Sequence, residues 1–232
     1  MTRDEAIRRV AAQMERHVPR PDSHTLTERI LAGLRATFSF AWGKDPPEAN
    51  GPHDFDERRV LMIDQLVKIA SGEVGVRESG GNNRGSRIRE YQAATNLAPA
   101  AWPWCAAFVC WCIREWLKDP EARAWLGLKT TTPAKWRPTT AAAFGFIEWA
   151  QKRPNTIAVL DEAEPAHPGD IIVFDFSHIG IVAAATATRI YTIEGNTNGR
   201  GDRDSETGDG VWTKTRARSL ARCFLRIHPS AA

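Results

Sequence analysis

The stretch PWCAAFVCWCIREW, residues 103–116, constrains the fold of this chain more than any other. Cys105, Phe108, Val109, Cys112, Ile113 and Trp116 recur at the spacing of one helix face, which predicts an amphipathic helix that must bury that face. Pro103 stands just before it, and proline is favoured in a helix's first turn and disfavoured deeper in, so Cys105 belongs to the opening turn. The same stretch places three of the chain's four cysteines within eight positions. These thiols have to be bridges, ligands, core or a nucleophile.

Bridges and ligands are the poorer readings. The opening MTRDEAIRRVAAQMERHV lacks the apolar run of roughly 7 to 15 residues that a signal peptide carries, and nothing later approaches a membrane span. The chain is therefore expected to be made in the cytoplasm, without membrane insertion, where cysteines stay reduced. Cys105, Cys110 and Cys112 form no C-x-x-C pair and no H-x-x-x-H pair occurs, so no metal and no cofactor are expected. Cys110 and Cys112 read as small buried hydrophobes amid Phe108, Trp111 and Ile113. Cys105 differs, because the unpaired N–H groups of a helix's first turn favour a thiolate, and the thiolate is the nucleophile.

A nucleophilic thiol needs a base and a group to orient that base. Of six histidines, those at 17, 24 and 53 fall in the N-terminal part, His167 precedes a PGD turn and His228 lies near the end. His178 stands in GDIIVFDFSHIGIVAAA, where two apolar runs read as strands around a turn at Asp175–Ser177, so that His178 heads the second strand. Ile190–Ile193 reads as the next strand, with Glu194 and Asn196 at its end. In a meander the start of one strand lies beside the end of the next, which brings Glu194 or Asn196 within reach of His178.

A cysteine opening a helix, a histidine heading a strand and E-G-N ending the following strand together resemble the CHAP family of cysteine, histidine-dependent amidohydrolases and peptidases, in the papain-like group that includes NlpC/P60. The residues that carry the resemblance are WPWCAAFVCW, HPGDIIVFDFSHIGIV and IEGNTN, within a span from about IASGEVGVRESGGNN to the C-terminus. The resemblance implies a peptidoglycan hydrolase that cleaves an amide of the stem peptide, with Cys105 as nucleophile, His178 as base and then acid, Glu194 orienting the imidazole and Asn196 as a further polar member. It implies peptidoglycan as partner, and a phage lysis system or a secretion apparatus, with an immunity protein, as the setting. The rival readings are a cysteine protease or deamidase toxin acting on a cytoplasmic protein, and an inactive wall-binding or structural module. Some CHAP proteins hold calcium in an acidic loop before the nucleophile, but ESGGNNRGSR here has one acid and two arginines, so no calcium is expected there.

The remaining sequence fits this frame. Thirty-one Lys plus Arg against 28 Asp plus Glu leave a net charge of +3, too small to argue for nucleic acid. Helical spacing runs from Ile7 to Val18, from about Leu26 to Trp42, and again from Phe55 to Ala70. The breaker GKDPPEANGPHD separates a helical extension, residues 1–55, from a hydrolase domain, residues 56–232. GDRDSETGDG matches the calcium-loop pattern poorly and reads as a solvated hairpin loop. Trp111 and Trp116 read as core, and Trp102 and Trp104 as walls of a substrate groove. VWTKTRARSLARCFLRI reads as one or two closing strands, with Lys214, Arg216, Arg218 and Arg222 outward and Cys223 buried. The expected fold is α+β, with helices packed on one side of an antiparallel sheet of about five or six strands.

Overall fold

A computed structural model describes residues 53–128, 133–199 and 208–230. The helices expected within the first 52 residues, and most of GDRDSETGDG, lie outside the described residues. Helix α1, His53–Gly72, carries Met62, Ile63, Leu66, Val67 and Ala70 into the core and stops at the expected Ser71–Gly72 end. The glycine-rich loop after it leads into a short helix that the sequence pattern had not suggested, α2, Ser86–Gln92. Helix α3, Cys105–Trp116, begins at the cysteine itself, two residues past Pro103, and ten of its twelve residues are buried. At about 1.5–3 kcal/mol for each large apolar side chain removed from water, this helix is the main hydrophobic anchor of the fold. Asp119 then caps α4, Pro120–Trp125, by accepting from the Glu121 N–H at 2.8 Å, with proline at the first helical position. Two further helices, α5 (Pro133–Trp136) and α6 (Gly145–Gln151), lead to the sheet.

The six described strands are β1 (Ile157–Leu160), β2 (Ile171–Phe174), β3 (Ile179–Ala185), β4 (Arg189–Thr197), β5 (Gly210–Ala217) and β6 (Ala221–Ile227). They form one antiparallel sheet in the order β1-β6-β2-β3-β4-β5. The architecture is α+β with the papain-like arrangement of CHAP and NlpC/P60 proteins. The two C-terminal strands part company: β5 extends the sheet beyond β4, and a 3₁₀ turn at Arg218–Leu220 sends β6 across to lie between β1 and β2.

Alternation along the strands sorts the sheet into two faces. Ile171, Val173, Ile179, Ile181, Ile193 and Cys223 join the helices in the larger core. Ile172, Phe174, Val182, Ile190 and Phe224 form a smaller core on the other face. Lys214 and Arg216 share a face of β5 at period two and are buried, at 9% and 2% exposure, while Thr215 between them is exposed. Both correct the expectation of outward side chains: the basic residues turn to acceptors of the protein itself, the Asn198 carbonyl 2.9 Å from Lys214 Nζ and the buried Glu194 carboxylate beside Arg216. Arg222 does lie outward, and Cys223 is buried as expected.

Candidate active site

Cys105 enters the site as the first residue of α3 and is 8% exposed. The loop before it is held from both sides. The Asn196 side-chain oxygen accepts from the Trp104 N–H at 2.6 Å, and buried Gln92 donates to the Ala100 and Trp102 carbonyls at 2.6 and 3.0 Å. Asn196 adopts a left-handed backbone, φ 54°, at the end of β4, which asparagine tolerates better than most residues. Asn196 therefore fixes the backbone that presents Cys105.

The glycine of the E-G-N motif has a steric reason. A Cβ at Gly195 would stand 2.6 Å from the Phe108 Cβ and 2.7 Å from the Trp104 ring, so only glycine lets α3 lie this close to β4. Gly180 does the same for the opposite face, where a Cβ would meet the Glu194 side chain at 2.7 Å. The Glu194 carboxylate folds over that bare backbone, fully buried.

His178 follows the turn that ends at Ser177, φ 60°, and immediately precedes β3. Its Nε2 lies 2.9 Å from Glu194 Oε2. A carboxylate only accepts, so Nε2–H is the donor and Nδ1 is left for Cys105. The ring stacks on Phe176 at 5.9 Å with 7° between planes, and Phe174 lies behind both. Burial works against protonating this imidazole, but electrostatic attraction and a hydrogen bond from Cys105, followed by Glu194, outweigh it and push its pKa up to about 9. Near neutral pH the imidazolium is thus the favoured form.

Glu194 is oriented in turn by Arg216, which the sequence pattern placed outward, and by Thr192, which it did not single out. Arg216 donates Nε to Oε1 at 3.0 Å and its terminal nitrogen to Oε2 at 2.5 Å, and Thr192 donates its hydroxyl to Oε1 at 2.5 Å. Burial pushes the carboxyl up, yet the hydrogen bonds from Arg216 and then His178 hold it well below the ordinary carboxylate range. Ile190, Thr192 and Glu194 alternate onto one face of β4, and β5 pairs there with Ile190 opposite Arg216 and Thr192 opposite Lys214. An arginine and a lysine at period two in a strand beside that glutamate were the available signal.

The other nominated side chains fall in different places. Trp104 is fully buried, stacked on Tyr91 at 5.4 Å, and donates its indole N–H to Glu78 at 2.8 Å. A ring so enclosed has no face for a substrate, so Trp104 belongs to the core rather than to a groove wall. Trp102 remains half-buried and donates to the Ala98 carbonyl at 2.9 Å. Cys110 and Cys112 are fully buried and burial raises both thiols far above the ordinary range, while burial lifts Cys223 to about 11. All four cysteines are free. Among the described residues no group of three or more His, Cys, Asp or Glu is placed to hold a metal, and no helix is long and apolar enough to cross a membrane.

The sheet, the helix that opens at a cysteine and the histidine heading a strand define a papain-like hydrolase scaffold. Residues 98–196 match the family described as the CHAP domain, which ends on Asn196 and includes Cys105, His178 and Glu194. Over those residues the chain is similar to a CHAP domain, a likeness that supports a hydrolase of the peptidoglycan amidase or peptidase type. No curated protein and no solved structure matches the chain.

Proposed function

We propose that the protein cleaves an amide bond of the peptidoglycan stem peptide with Cys105 as nucleophile, His178 as proton carrier and Glu194 as the group that orients it. The observation that carries this reading is the 2.9 Å bond from His178 Nε2 to Glu194, which leaves Nδ1 for the thiol of Cys105. The thiolate attacks the carbonyl carbon, and the imidazolium gives its proton to the leaving amine. Water, deprotonated by the same ring, then attacks the thioester and releases the second product. The Trp104 N–H is taken up by Asn196, so the donors for the tetrahedral oxyanion begin at the Cys105 N–H in the first turn of α3. Trp102, half-exposed beside that turn, is the aromatic wall of the groove in this reading.

Delivery to the wall by other machinery completes the proposal, in the setting of either a phage lysis system or a secreted antibacterial effector with its immunity protein. The test has two arms. Purified protein is incubated with sacculi and the released fragments are identified by mass spectrometry, with Cys105→Ala as control. The protein is also expressed in a bacterium with and without an added export signal while culture density is followed. Fragments released only by the intact thiol, with lysis only on export, are the expected outcome. Intact sacculi together with toxicity in the cytoplasm would instead favour a cytoplasmic protein target.

A further inference from the structure

An open groove of about 590 Å³ lies between the loop at 79–86, the α2 face and the chain at Ala100–Ala101. Its charged lining is of one sign: Arg84 and Arg89 contribute guanidinium groups, Ser79 and Ser86 hydroxyls, and no carboxylate lines it. Ser86 and Arg89 stand three apart and so share a face of α2. Arg87 on the same helix shows the contrast, since it is spent on Glu73 at 2.6 Å and on Glu90. Among the described residues neither Arg84 nor Arg89 has an ion-pair partner. Two guanidinium groups facing one concavity without a counter-charge repel each other, and an anion relieves that repulsion.

The groove is built, and it is tied to the nucleophile. Ser79 N–H donates to the Arg84 carbonyl at 2.9 Å and closes the loop, which turns through left-handed backbone at Gly80, Gly81 and Asn83. Glu78 then joins loop to site: one oxygen accepts from the Asn83 N–H at 2.7 Å, the other from the indole of Trp104, the neighbour of Cys105, at 2.8 Å. From Ala101 to Cys105 is four residues, a reach of at most about 14 Å, or roughly four residues of extended peptide. A peptide with its scissile amide at Cys105 therefore has a length matched to the arginines within a few residues of the cut.

We propose that this groove binds a free carboxylate of the stem peptide, with Arg84 and Arg89 as the specificity-determining cations and Ser79 and Ser86 as neutral donors. The inference rests on the peptidoglycan reading above. Carboxylates are well matched to guanidinium forks, and amidation of the same group removes both its charge and half of its acceptor capacity.

The test uses the full-length protein and a soluble muropeptide with its stem-peptide carboxylates free, beside the same muropeptide with them amidated. Binding is measured by calorimetry on Cys105→Ala, which separates recognition from turnover, and turnover is measured on the intact enzyme. The free acid is expected to bind about tenfold more tightly than the amide. That preference should vanish in Cys105→Ala/Arg84→Ala/Arg89→Ala, with its melting temperature retained, and persist in Cys105→Ala/Arg189→Ala, which removes a charge elsewhere. Equal affinity for the two muropeptides, or an unchanged preference without the arginines, overturns the inference. Absence of turnover by the intact enzyme, with the binding preference intact, counts against the hydrolase reading instead.

Discussion

The protein holds two arginine–carboxylate pairs on the same sheet, and they are put to different uses. Arg226 on β6 meets Asp170 at 3.0 and 2.8 Å, and Asp170 also accepts from the His167 N–H at 2.7 Å, so that this pair closes the turn before β2. Arg216 on β5 meets Glu194 with similar two-point geometry, but there the carboxylate also accepts from the ring of His178. Both carboxylates are buried, Asp170 at 2% and Glu194 at 0% exposure, and only the arginines differ, Arg226 at 19% and Arg216 at 1%. A pair of charges is thus structural or functional according to what else the carboxylate touches. Burial of a charge pair is expensive, and the site accepts that cost to keep one carboxylate ionised and fixed behind an imidazole.

The sharpest way to break this comparison is to remove the functional end of one pair. His178→Ala should lower sacculus hydrolysis on the order of 10³-fold or more, as much as Cys105→Ala does, with no further loss in the double variant. Asp170→Asn should instead leave the activity of folded protein close to that of the parent. Equal losses in both would erase the distinction between the pairs. Next in size are the stabilities. Arg216→Met strands a fully buried carboxylate and should cost about 3–5 kcal/mol in denaturant unfolding, together with activity. Arg226→Met also strands a buried carboxylate, since Asp170 is itself only 2% exposed, and should cost a similar amount, but with activity per folded molecule retained.

The pH dependence sharpens the same point. Because His178 is raised to about 9 when folded, its imidazolium contributes stability that is complete below the ordinary value near 6.5 and is lost as pH climbs through 9. The kcat/KM profile should fall on its alkaline side at about the same pH, where the leaving amine loses its proton donor. Glu194→Gln removes one of the groups that raise the ring and should move that limb to lower pH. Glu194 itself is depressed, so its contribution is present above the ordinary carboxylate range and is lost only in acid. The smallest effects belong to the buried thiols: Cys110→Ala and Cys112→Ala should each cost about 1 kcal/mol as small cavities and leave hydrolysis intact.

What was legible in the sequence was local. Pro103 and the apolar spacing fixed where α3 begins, and hence that Cys105 sits in its first turn. The turn at Asp175–Ser177 and the E-G-N ending brought Glu194 or Asn196 within reach of His178 because adjacent strands meet by simple rules, and the structure gives Glu194 to the ring and Asn196 to the Trp104 N–H. Arg216 was not legible as a partner, since its role depends on β5 returning to β4 after a long connection, and an arginine in a closing strand reads as solvated until its register is known. Trp104 failed for the related reason that proximity in sequence to a nucleophile does not say which way a ring turns: it turned inward, onto Tyr91 and Glu78. The strand β1 and helices α2 and α4–α6 are short, and their packing rather than their periodicity defines them.

The coupling of Cys105 to the Glu194 cluster through His178 is tested most directly by the rate of alkylation of each thiol. Native protein is treated with limiting iodoacetamide at neutral pH and the labelled cysteines are mapped by mass spectrometry, in the parent and in His178→Ala. Cys105 is expected to be labelled far ahead of Cys110, Cys112 and Cys223, and to slow by at least about tenfold when the imidazole is gone. Labelling of Cys105 at the same rate with and without His178, or first labelling at any of the other three, would contradict the assignment of Cys105 and His178 as one reacting unit.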